Sequence, residues 1–212
     1  MTAPRVAYQG RPGAYGESAV LRHWDGAAVP VPARSFGDLL HAVAWGEVEF
    51  GVVPVWNSTM GAVREACDAL VAAAGRVERV AELSVPVRHA LVALPGASLS
   101  RLRAVGSHSA ALAQCGRFLA RHPHVAPVVA WDTAGAAHEL AALGAGGPAD
   151  DAAREPWYAA VPDAAPETLA AIASAAAAEQ HGLAVLADDV GDDPRNETTF
   201  AVVRSREASW RR

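Results

Sequence analysis

Strand-like and helix-like segments alternate along the first part of the chain. Residues 6–9, 29–33 and 50–55 have the apolar, β-branched character of strands, and residues 50–55 are typical of a strand covered on both faces. Ser35 is the predicted N-cap of an intervening helix, whose buried side is expected to carry Phe36, Leu39, Leu40 and Val43. A further helix is predicted over residues 58–73. This order predicts βαβ units and a mostly parallel sheet.

A second alternation follows residues 77–94, which we interpret as long strand material leading into a new region. Strands are predicted at residues 105–107, 125–131, 183–186 and 198–203, and helices at residues 110–120, 134–143 and 169–180, the last ended by Gly182. Residues 144–151 are the best linker candidate. We therefore expect two α/β lobes, residues 1–80 with 184–212 and residues 81–183, facing each other across a small-molecule cleft.

Composition excludes several classes of function. A formal net charge of −5 argues against a nucleic-acid partner, and the absence of lysine excludes a Schiff-base mechanism. Cys67 and Cys115 lie in apolar helical patterns, so buried free thiols are expected. The histidines form no metal-binding pair, and no nucleotide-binding glycine motif is present, so we expect no metal site and no bound nucleotide. No signal peptide or membrane span is visible, which predicts a cytoplasmic protein.

Small polar residues follow several predicted strands, at the edge where open α/β sheets bind ligands. Asn57, Ser58 and Thr59 precede a predicted helix, whose N-terminus would suit a carboxylate. Ser107 and His108 stand in the same position before another helix. From these residues alone, simple N-capping by Asn57, Ser58, Thr59 or Ser107 is the better explanation.

Seven segments, in order, resemble the motifs of one enzyme family. They are residues 10–19 (an opening glycine turn and helix), 51–63 ("GVVPIENSxxGxV"), 82–91 ("Ei.lpI.h.L"), 107–115 ("SHPQALxQC"), 132–137 ("sTaeAA"), 170–183 ("AAIAS…yGL") and 196–200 ("NxTRF"). The family is that of the prephenate dehydratases. Each match alone is weak, but seven collinear matches at similar spacing indicate a member of the family.

This resemblance implies a fold of two Rossmann-like lobes with a cleft between them, like a type II periplasmic binding protein. It implies loss of carbon dioxide and the ring hydroxyl from prephenate, without a cofactor. Thr198 matches the family's catalytic threonine. The implied substrate-binding residues are Trp56, Asn57, Ser58, Thr59, Ser107, His108, Thr133 and Thr199. The partner is then a small carboxylate, and a homodimer is expected by family analogy.

Three departures from the motifs stand out. Thr199 replaces the arginine of "TRF", and Trp56 replaces the glutamate of "ENS". Ser109 and Ala110 replace the proline and glutamine of "SHPQ". If the lost arginine binds a carboxylate, its loss costs about 1.5–3 kcal/mol. Arg11, Arg64 or Arg88 could then compensate.

Because Thr198 is kept while its surroundings change, we interpret the chain as a dehydratase with altered substrate choice, suited to specialised metabolism. Two alternatives remain. One is a non-aromatising prephenate decarboxylase, and the other is a binding module without catalysis. The chain stops soon after residue 203, where relatives continue into an ACT domain, so no phenylalanine feedback by that route is expected. Residues 144–167 resemble an insertion, interpreted as a surface loop.

Overall fold

The structure, a computed structural model, describes residues 2–147 and 156–207. These fall into two compact units. Unit 1 comprises the described residues of 1–87 and 195–212, and unit 2 comprises those of 88–194. The expected bounds differ at two places, because residues 81–87 lie in unit 1 and residues 184–194 in unit 2. The interlobe cleft stays a prediction.

Unit 1 is built on a mixed sheet with the strand order β2-β1-β3-β11-β5, and β4 pairs with β3. Its strands are β1 Arg5–Gln9, β2 Val29–Ala33, β3 Phe50–Asn57, β4 Gly61–Ala62, β5 Val77–Pro86 and β11 Glu197–Ser205. Its helices are α1 Tyr15–His23, α2 Phe36–Ala44 and α3 Arg64–Ala73. The β1–β2 and β1–β3 pairs are parallel, whereas β11 runs antiparallel to β3 and β5. The expected parallel arrangement is confirmed for β1, β2 and β3, and β11 is the long strand that runs in the opposite direction.

Helix α2 forms as predicted. Ser35 Oγ accepts a hydrogen bond from Asp38 N at 3.1 Å, which caps the helix. The four apolar residues expected on one side are all buried, namely Phe36, Leu39, Leu40 and Val43. This face packs against β3 at Gly51, where an added Cβ would lie 2.7 Å from Leu39 Cδ2. Gly51, the glycine of the "GVVP" segment, thus permits close packing of helix α2 on the sheet.

Unit 2 contains a second mixed sheet with the strand order β10-β6-β9-β7-β8. Its strands are β6 Ala90–Ala93, β7 Ala104–Ser107, β8 Ala126–Val129, β9 Leu169–Ala173 and β10 Ala184–Ala187. Its helices are α4 Ser109–Gln114, α5 Gly116–Arg121, α6 Thr133–Gly144 and α7 Ala175–His181. Strands β7, β8 and β9 are parallel, and β6 and β10 join them in antiparallel pairs. The predicted α/β class is confirmed in both units.

The predicted helix over residues 169–180 is wrong in its first part. Leu169–Ala173 is the central strand β9, and all five residues are buried. Helix propensity favoured alanine here, but the middle of the sheet requires a strand that is buried on both faces. Helix α7 begins after Ser174, whose Oγ accepts from Ala177 N at 3.0 Å. It ends as predicted at Gly182, which has a φ of +65°.

Three further segments differ from the sequence expectation. The strand material at 77–94 is two strands, β5 and β6, of which the first belongs to unit 1. The helix predicted at 110–120 divides at Cys115 into α4 and α5.

Of the two cysteines, Cys115 is buried as expected, whereas Cys67 is only half-buried. Within 144–167, Trp157 is buried beneath unit 2's sheet, with its ring against Gly106. Among residues 156–167 Trp157 is the buried one, and the others are half-buried or exposed. Residues 148–151 of the expected linker and residues 152–155 of the expected insertion lie outside the described residues.

Candidate functional site

Several of the site residues predicted from the sequence lie at one edge of the unit 1 sheet. Strands β1, β3 and β5 end at this edge, and β11 begins there because it runs antiparallel to β3 and β5. Thr198 of β11 is therefore opposite Asn57 of β3 on one side and Val85 of β5 on the other. The edge thus places the loop after β1, the turn after β3 and the start of β11 side by side.

The turn after β3 is not the helix start that the sequence predicted. Helix α3 begins only at Arg64. Asn57 Oδ1 instead accepts hydrogen bonds from Thr59 N at 3.1 Å, Met60 N at 3.0 Å and Thr59 Oγ1 at 2.7 Å. An asparagine side chain that bonds its own following backbone competes with helix formation, and Gly61 continues the turn with a φ of +78°. The backbone N–H groups of Thr59 and Met60 are consequently committed to Asn57 and do not form a helix-end carboxylate site.

The other end of the Asn57 side chain reaches β11. Its Nδ2 donates to Thr198 Oγ1 at 3.0 Å, to Asn196 Oδ1 at 2.8 Å and to Glu197 O at 3.1 Å. Asn57 and Asn196 are both buried. The amide of Asn57 therefore ties the turn after β3 to the first residues of β11.

Ser58 strengthens the same connection through the backbone. Ser58 N donates to Glu197 O at 2.9 Å, and Ser58 Oγ accepts from Glu197 N at 3.0 Å. These two bonds hold the residue that precedes Thr198. Ser58, predicted to bind substrate, thus has a structural role at this edge.

The Thr198 hydroxyl accepts a hydrogen bond and keeps its own hydrogen available. Within the residues that the structure describes, its hydrogen bond to Asn57 is the only one it makes. The side chain is partly exposed. A hydroxyl oxygen that accepts from one side points its hydrogen elsewhere, so Thr198 can donate to a bound molecule.

Trp56 and Thr199 lie on the opposite face of the sheet from Thr198. They are cross-strand partners in the β3–β11 pair, and adjacent residues of a strand face opposite sides. Thr199 Oγ1 is 3.1 Å from Ser84 Oγ of β5, and Trp56 is 53% exposed. The two positions that depart from the motifs therefore face each other directly.

The loop after β1 carries the glycine turn and Arg11. Gly13, with a φ of +88°, donates its N–H to Glu17 Oε2 at 2.6 Å. Glu17 also accepts from the buried Tyr8 hydroxyl at 3.5 Å, and burial with this carboxylate raises the pKa of Tyr8. Helix α1, which starts here, packs on the sheet face that carries Phe200 and Val202. Alternation along β11 puts Thr198 on that same face, so the Arg11 loop and Thr198 share one side of the edge.

The other two arginines that could bind a carboxylate lie in other parts of the fold. Arg64 is the first residue of α3, three residues beyond Gly61 of the turn. Arg88 belongs to unit 2. Of the three arginines considered, Arg11 is the one in a loop at the edge that contains Thr198.

The matching edge of unit 2 contains Ser107, His108 and Thr133, because β7, β8 and β9 are parallel and end together. Ser107 is fully buried, and its hydroxyl donates to Ile172 O at 2.6 Å. The predicted capping role falls to His108, whose Nδ1 accepts from Ala110 N at 3.2 Å. Thr133 is the first residue of α6, and Asp132 caps that helix through Gly135 N. Among these residues, His108 is exposed and Thr133 half-buried.

Two residues at these edges were missed by sequence reasoning. Asn196 contacts Asn57, and Ser174 caps α7 at the end of β9. Both lie inside matched motifs, and both are buried polar residues beside apolar strands. In the sequence, the signal that could have identified them is a polar residue directly beside an apolar strand. Such a residue is easily buried with the strand, and a buried polar side chain requires a specific partner.

His89 forms a buried pair within unit 2. Its Nε2 lies 2.8 Å from Gln114 Oε1, and the ring is 3% exposed. Burial lowers the pKa of His89 below its ordinary value, and the hydrogen bond to Gln114 opposes this effect in part. The pair links the strand β6 region to the end of α4.

Two further features concern metal ions and membranes. In the ranges 2–147 and 156–207, no three His, Cys, Asp or Glu side chains cluster in a way that could hold a metal ion. No helix in these ranges combines the length and apolar character that crossing a bilayer requires.

Comparison with known proteins identifies the family. The prephenate dehydratase family model matches residues 6–208. Arogenate dehydratase 1 of Petunia hybrida is 36% identical over 94% of this chain and 42% of its own length. The chain thus spans less than half of this relative.

Two solved structures match nearly the whole chain. The prephenate dehydratase of Arthrobacter aurescens in complex with L-Phe has a TM-score of 0.73 at 30% identity, over 95% of this chain and 60% of that one. GqqA, described as a novel type of quorum quenching acylase, has a TM-score of 0.75 at 30% identity, over 95% and 64%. Structural similarity alone therefore does not determine the reaction. By its family model and its sequence identity to curated relatives, however, this chain belongs to the prephenate dehydratase family.

Proposed function

We propose that this chain is a carbon–oxygen lyase of the dehydratase type. It removes carbon dioxide and the ring hydroxyl from prephenate or from a closely related cyclohexadienyl acid such as arogenate. Family membership supports the reaction class, and the relatives named above support these two substrates. The observation that carries the proposal is the Thr198 hydroxyl, held by Asn57 at 3.0 Å with its hydrogen left to donate.

The chemistry requires little from the protein. The electron pair of the bond between the ring and its carboxylate moves into the ring as carbon dioxide departs. The ring becomes aromatic, and the bond between the ring carbon and the hydroxyl breaks, with the electron pair of that carbon–oxygen bond leaving on oxygen. The departing hydroxide then takes up a proton and becomes water. Aromatisation drives the reaction, so catalysis consists mainly of stabilising the negative charge on the leaving oxygen.

A positioned hydroxyl suits this task. Threonine is too weak an acid to protonate a substrate freely, but a fixed O–H group can stabilise developing charge without reorganisation. Removing one such donor typically costs about 100- to 1000-fold in kcat. We assign this role to Thr198, which is partly exposed at the sheet edge.

The substrate carboxylates require cations or donors. We propose Arg11 as the cation in unit 1, because its loop shares the face of Thr198. Thr59, His108 and Thr133 remain proposed contacts, since they are exposed or half-buried. Ser107 is a weaker proposal because its hydroxyl is fully buried on Ile172 O.

The replaced motif residues distinguish this chain from the motif pattern, although they lie on the sheet face away from Thr198. Trp56 and Thr199 remove both charges that the motifs carry at this part of the sheet, and the exposed Trp56 ring adds an apolar surface. We also propose a role in specialised metabolism, with prephenate or a relative of it as the substrate.

Product identification by mass spectrometry tests the proposal. Purified protein is incubated with prephenate, arogenate and a small panel of analogues, beside a Thr198→Val control. An aromatic product that has lost carbon dioxide and water, formed only by the unchanged protein, supports the dehydratase. A dihydro product that keeps the ring hydroxyl would instead identify a decarboxylase. Binding without turnover of any compound would indicate a binding module.

A further inference from the structure

The Asn57 side chain has no group left over for a substrate. Its oxygen accepts from the backbone of Thr59 and Met60 and from the Thr59 hydroxyl, and its nitrogen donates to Asn196, Glu197 and Thr198. The residue is only 7% exposed. These six contacts all lie within unit 1.

The orientation of this amide is determined by its neighbours. Backbone N–H groups can only donate, so the Asn57 atom that faces Thr59 N and Met60 N must be the oxygen. The NH₂ group must then face Asn196, Glu197 and Thr198, whose oxygens share its two hydrogens, and Thr198 Oγ1 is the acceptor at 3.0 Å because an amide nitrogen does not accept. A hydroxyl carries one hydrogen, which cannot point along the direction from which an N–H arrives.

We infer that Asn57 is a positioning residue that sets the direction of the Thr198 hydroxyl hydrogen. The inference rests on the proposed function, in which that hydrogen stabilises the leaving oxygen. The oxygen of the side chain holds the turn, whereas the nitrogen bonds Asn196, Glu197 and Thr198 at the start of β11. The nitrogen is the group that makes Thr198 an acceptor toward the protein and a donor toward the substrate.

Asn57→Asp keeps the bonds of the side-chain oxygen and removes those of the nitrogen. A carboxylate at position 57 still accepts from Thr59 N and Met60 N, so the turn keeps its bonds. It cannot donate to Thr198, Asn196 or Glu197, and an ionised carboxylate draws the Thr198 hydrogen toward itself. We expect kcat at neutral pH to fall by about 100-fold or more, because the catalytic donor is redirected.

The pH profile of this variant gives the sharper readout. A protonated carboxyl group has an O–H donor and can replace the lost N–H. Below the pKa of the new carboxyl group, which for an aspartate is ordinarily about 3.9, kcat of Asn57→Asp should recover toward that of the unchanged protein. The ratio of the two kcat values should therefore approach one as the pH falls, whereas a structural defect would leave it constant or make it worse.

A double-mutant cycle and a matched control complete the kinetic test. If Asn57 acts only through Thr198, then Asn57→Asp combined with Thr198→Val should be no slower than Thr198→Val alone. The control is Ser84→Ala, which removes a hydrogen bond on the other face of the sheet. That bond, between Ser84 Oγ and Thr199 Oγ1, is 3.1 Å long and so resembles the bond between Asn57 and Thr198 in length. The substitution is expected to leave kcat within about twofold, as a surface change away from the reacting groups.

A second measurement does not depend on activity. In an NMR spectrum of ¹⁵N-labelled protein, the side-chain amide protons of Asn57 should be protected from exchange. Thr198→Val removes their acceptor and should shift one of them and speed its exchange, whereas Thr198→Ser should not. An amide unaffected by Thr198→Val would overturn the inference even if Asn57→Asp failed to fold.

The outcomes separate the two proposals. If the unchanged protein turns over none of the panel, the proposed function fails and the NMR arm alone decides the orientation of Thr198. If Thr198→Val is inactive but Asn57→Asp keeps a normal kcat and pH profile, the proposed function stands and this inference is wrong. Additive losses in the double mutant would likewise contradict it, because they would mean that Asn57 acts on the substrate independently.

Discussion

Trp56 and Thr199 are direct cross-strand neighbours in the β3–β11 pair, on the sheet face away from Thr198. The matched motifs carry glutamate and arginine at these two positions. Side chains so placed have Cβ atoms about 4.5–5.5 Å apart, within reach of an ion pair. The two departures therefore remove both members of one charge pair and leave no buried charge unpaired. The arginine was expected from the sequence to act on a carboxylate of the substrate, but its position favours a carboxylate of the protein as its partner.

Restoring both charges should reveal this coupling. Thr199→Arg and Trp56→Glu are expected to stabilise the protein more together than the sum of their separate effects, by about 0.2–1 kcal/mol, as for other cross-strand ion pairs. Urea unfolding of the four proteins in the cycle measures this coupling energy, which should shrink at high salt. Additivity within the error of the cycle would show that the two positions do not interact.

Trp157 should be an anchor for unit 2. It is 5% exposed, packs on Gly106, and donates its indole N–H to Ala136 O at 3.1 Å. Trp157→Ala leaves a large cavity and is expected to lower the free energy of unfolding by about 3–5 kcal/mol. Trp131→Ala is the matched control, because that ring is 55% exposed, and it should cost less than about 1 kcal/mol. Similar losses for both variants in thermal unfolding would contradict the anchoring role.

The glycine at position 51 is predicted to serve packing and not chemistry. Gly51→Ala pushes a methyl group against Leu39 and Val43 of α2, and it should lower stability by about 1–3 kcal/mol. Gly75→Ala meets no atom within 4 Å and should be nearly neutral. Urea unfolding compares the two, and the kcat of Gly51→Ala should stay close to that of the unchanged protein at low temperature. A stable Gly51→Ala protein with lost activity would point to a direct role in the site.

His89 should make the protein less stable in mild acid. Burial lowers its pKa from 6.5 in the folded protein, so below that pH the unfolded chain binds a proton that the folded protein does not. Stability due to His89 is therefore complete above pH 6.5 and is lost as the pH falls toward the folded value, by at most about 1.4 kcal/mol per pH unit. Unfolding free energies at pH 7.5 and 5.5, for the unchanged protein and His89→Gln, measure the effect. An equal pH dependence in the two proteins would exclude it.

The sequence was sufficient where local signals decide the structure. Helix α2 followed from Ser35 and the spacing of its apolar residues, and Gly182 ended α7 as expected. Sequence reasoning failed where residues far away in the sequence determine the local structure. Residues 169–173 have a helix-forming composition, yet the neighbours β6 and β7 make them a strand. Asn57 resembles a helix cap, yet its side chain bends the chain into a turn and holds β11.

The site itself was only partly predictable. Thr198 and Asn57 were identified from motifs, but their hydrogen bond joins residues 141 positions apart. The role of Asn196 and the pairing of Trp56 with Thr199 depend on the register of β11 against β3. A single sequence does not carry that register, because alternation of apolar and polar residues specifies a face and not a partner.

The most direct test of the account is the kcat of Thr198→Val against Thr198→Ser with saturating prephenate or arogenate, whichever the unchanged protein converts. Valine has nearly the shape of threonine but no O–H group, whereas serine keeps the donor. We predict that Thr198→Val loses about 100-fold or more in kcat, while Thr198→Ser stays within about tenfold and both proteins remain folded. A Thr198→Val protein that works within a few-fold of the unchanged one would contradict the claim that this hydroxyl assists the departing oxygen.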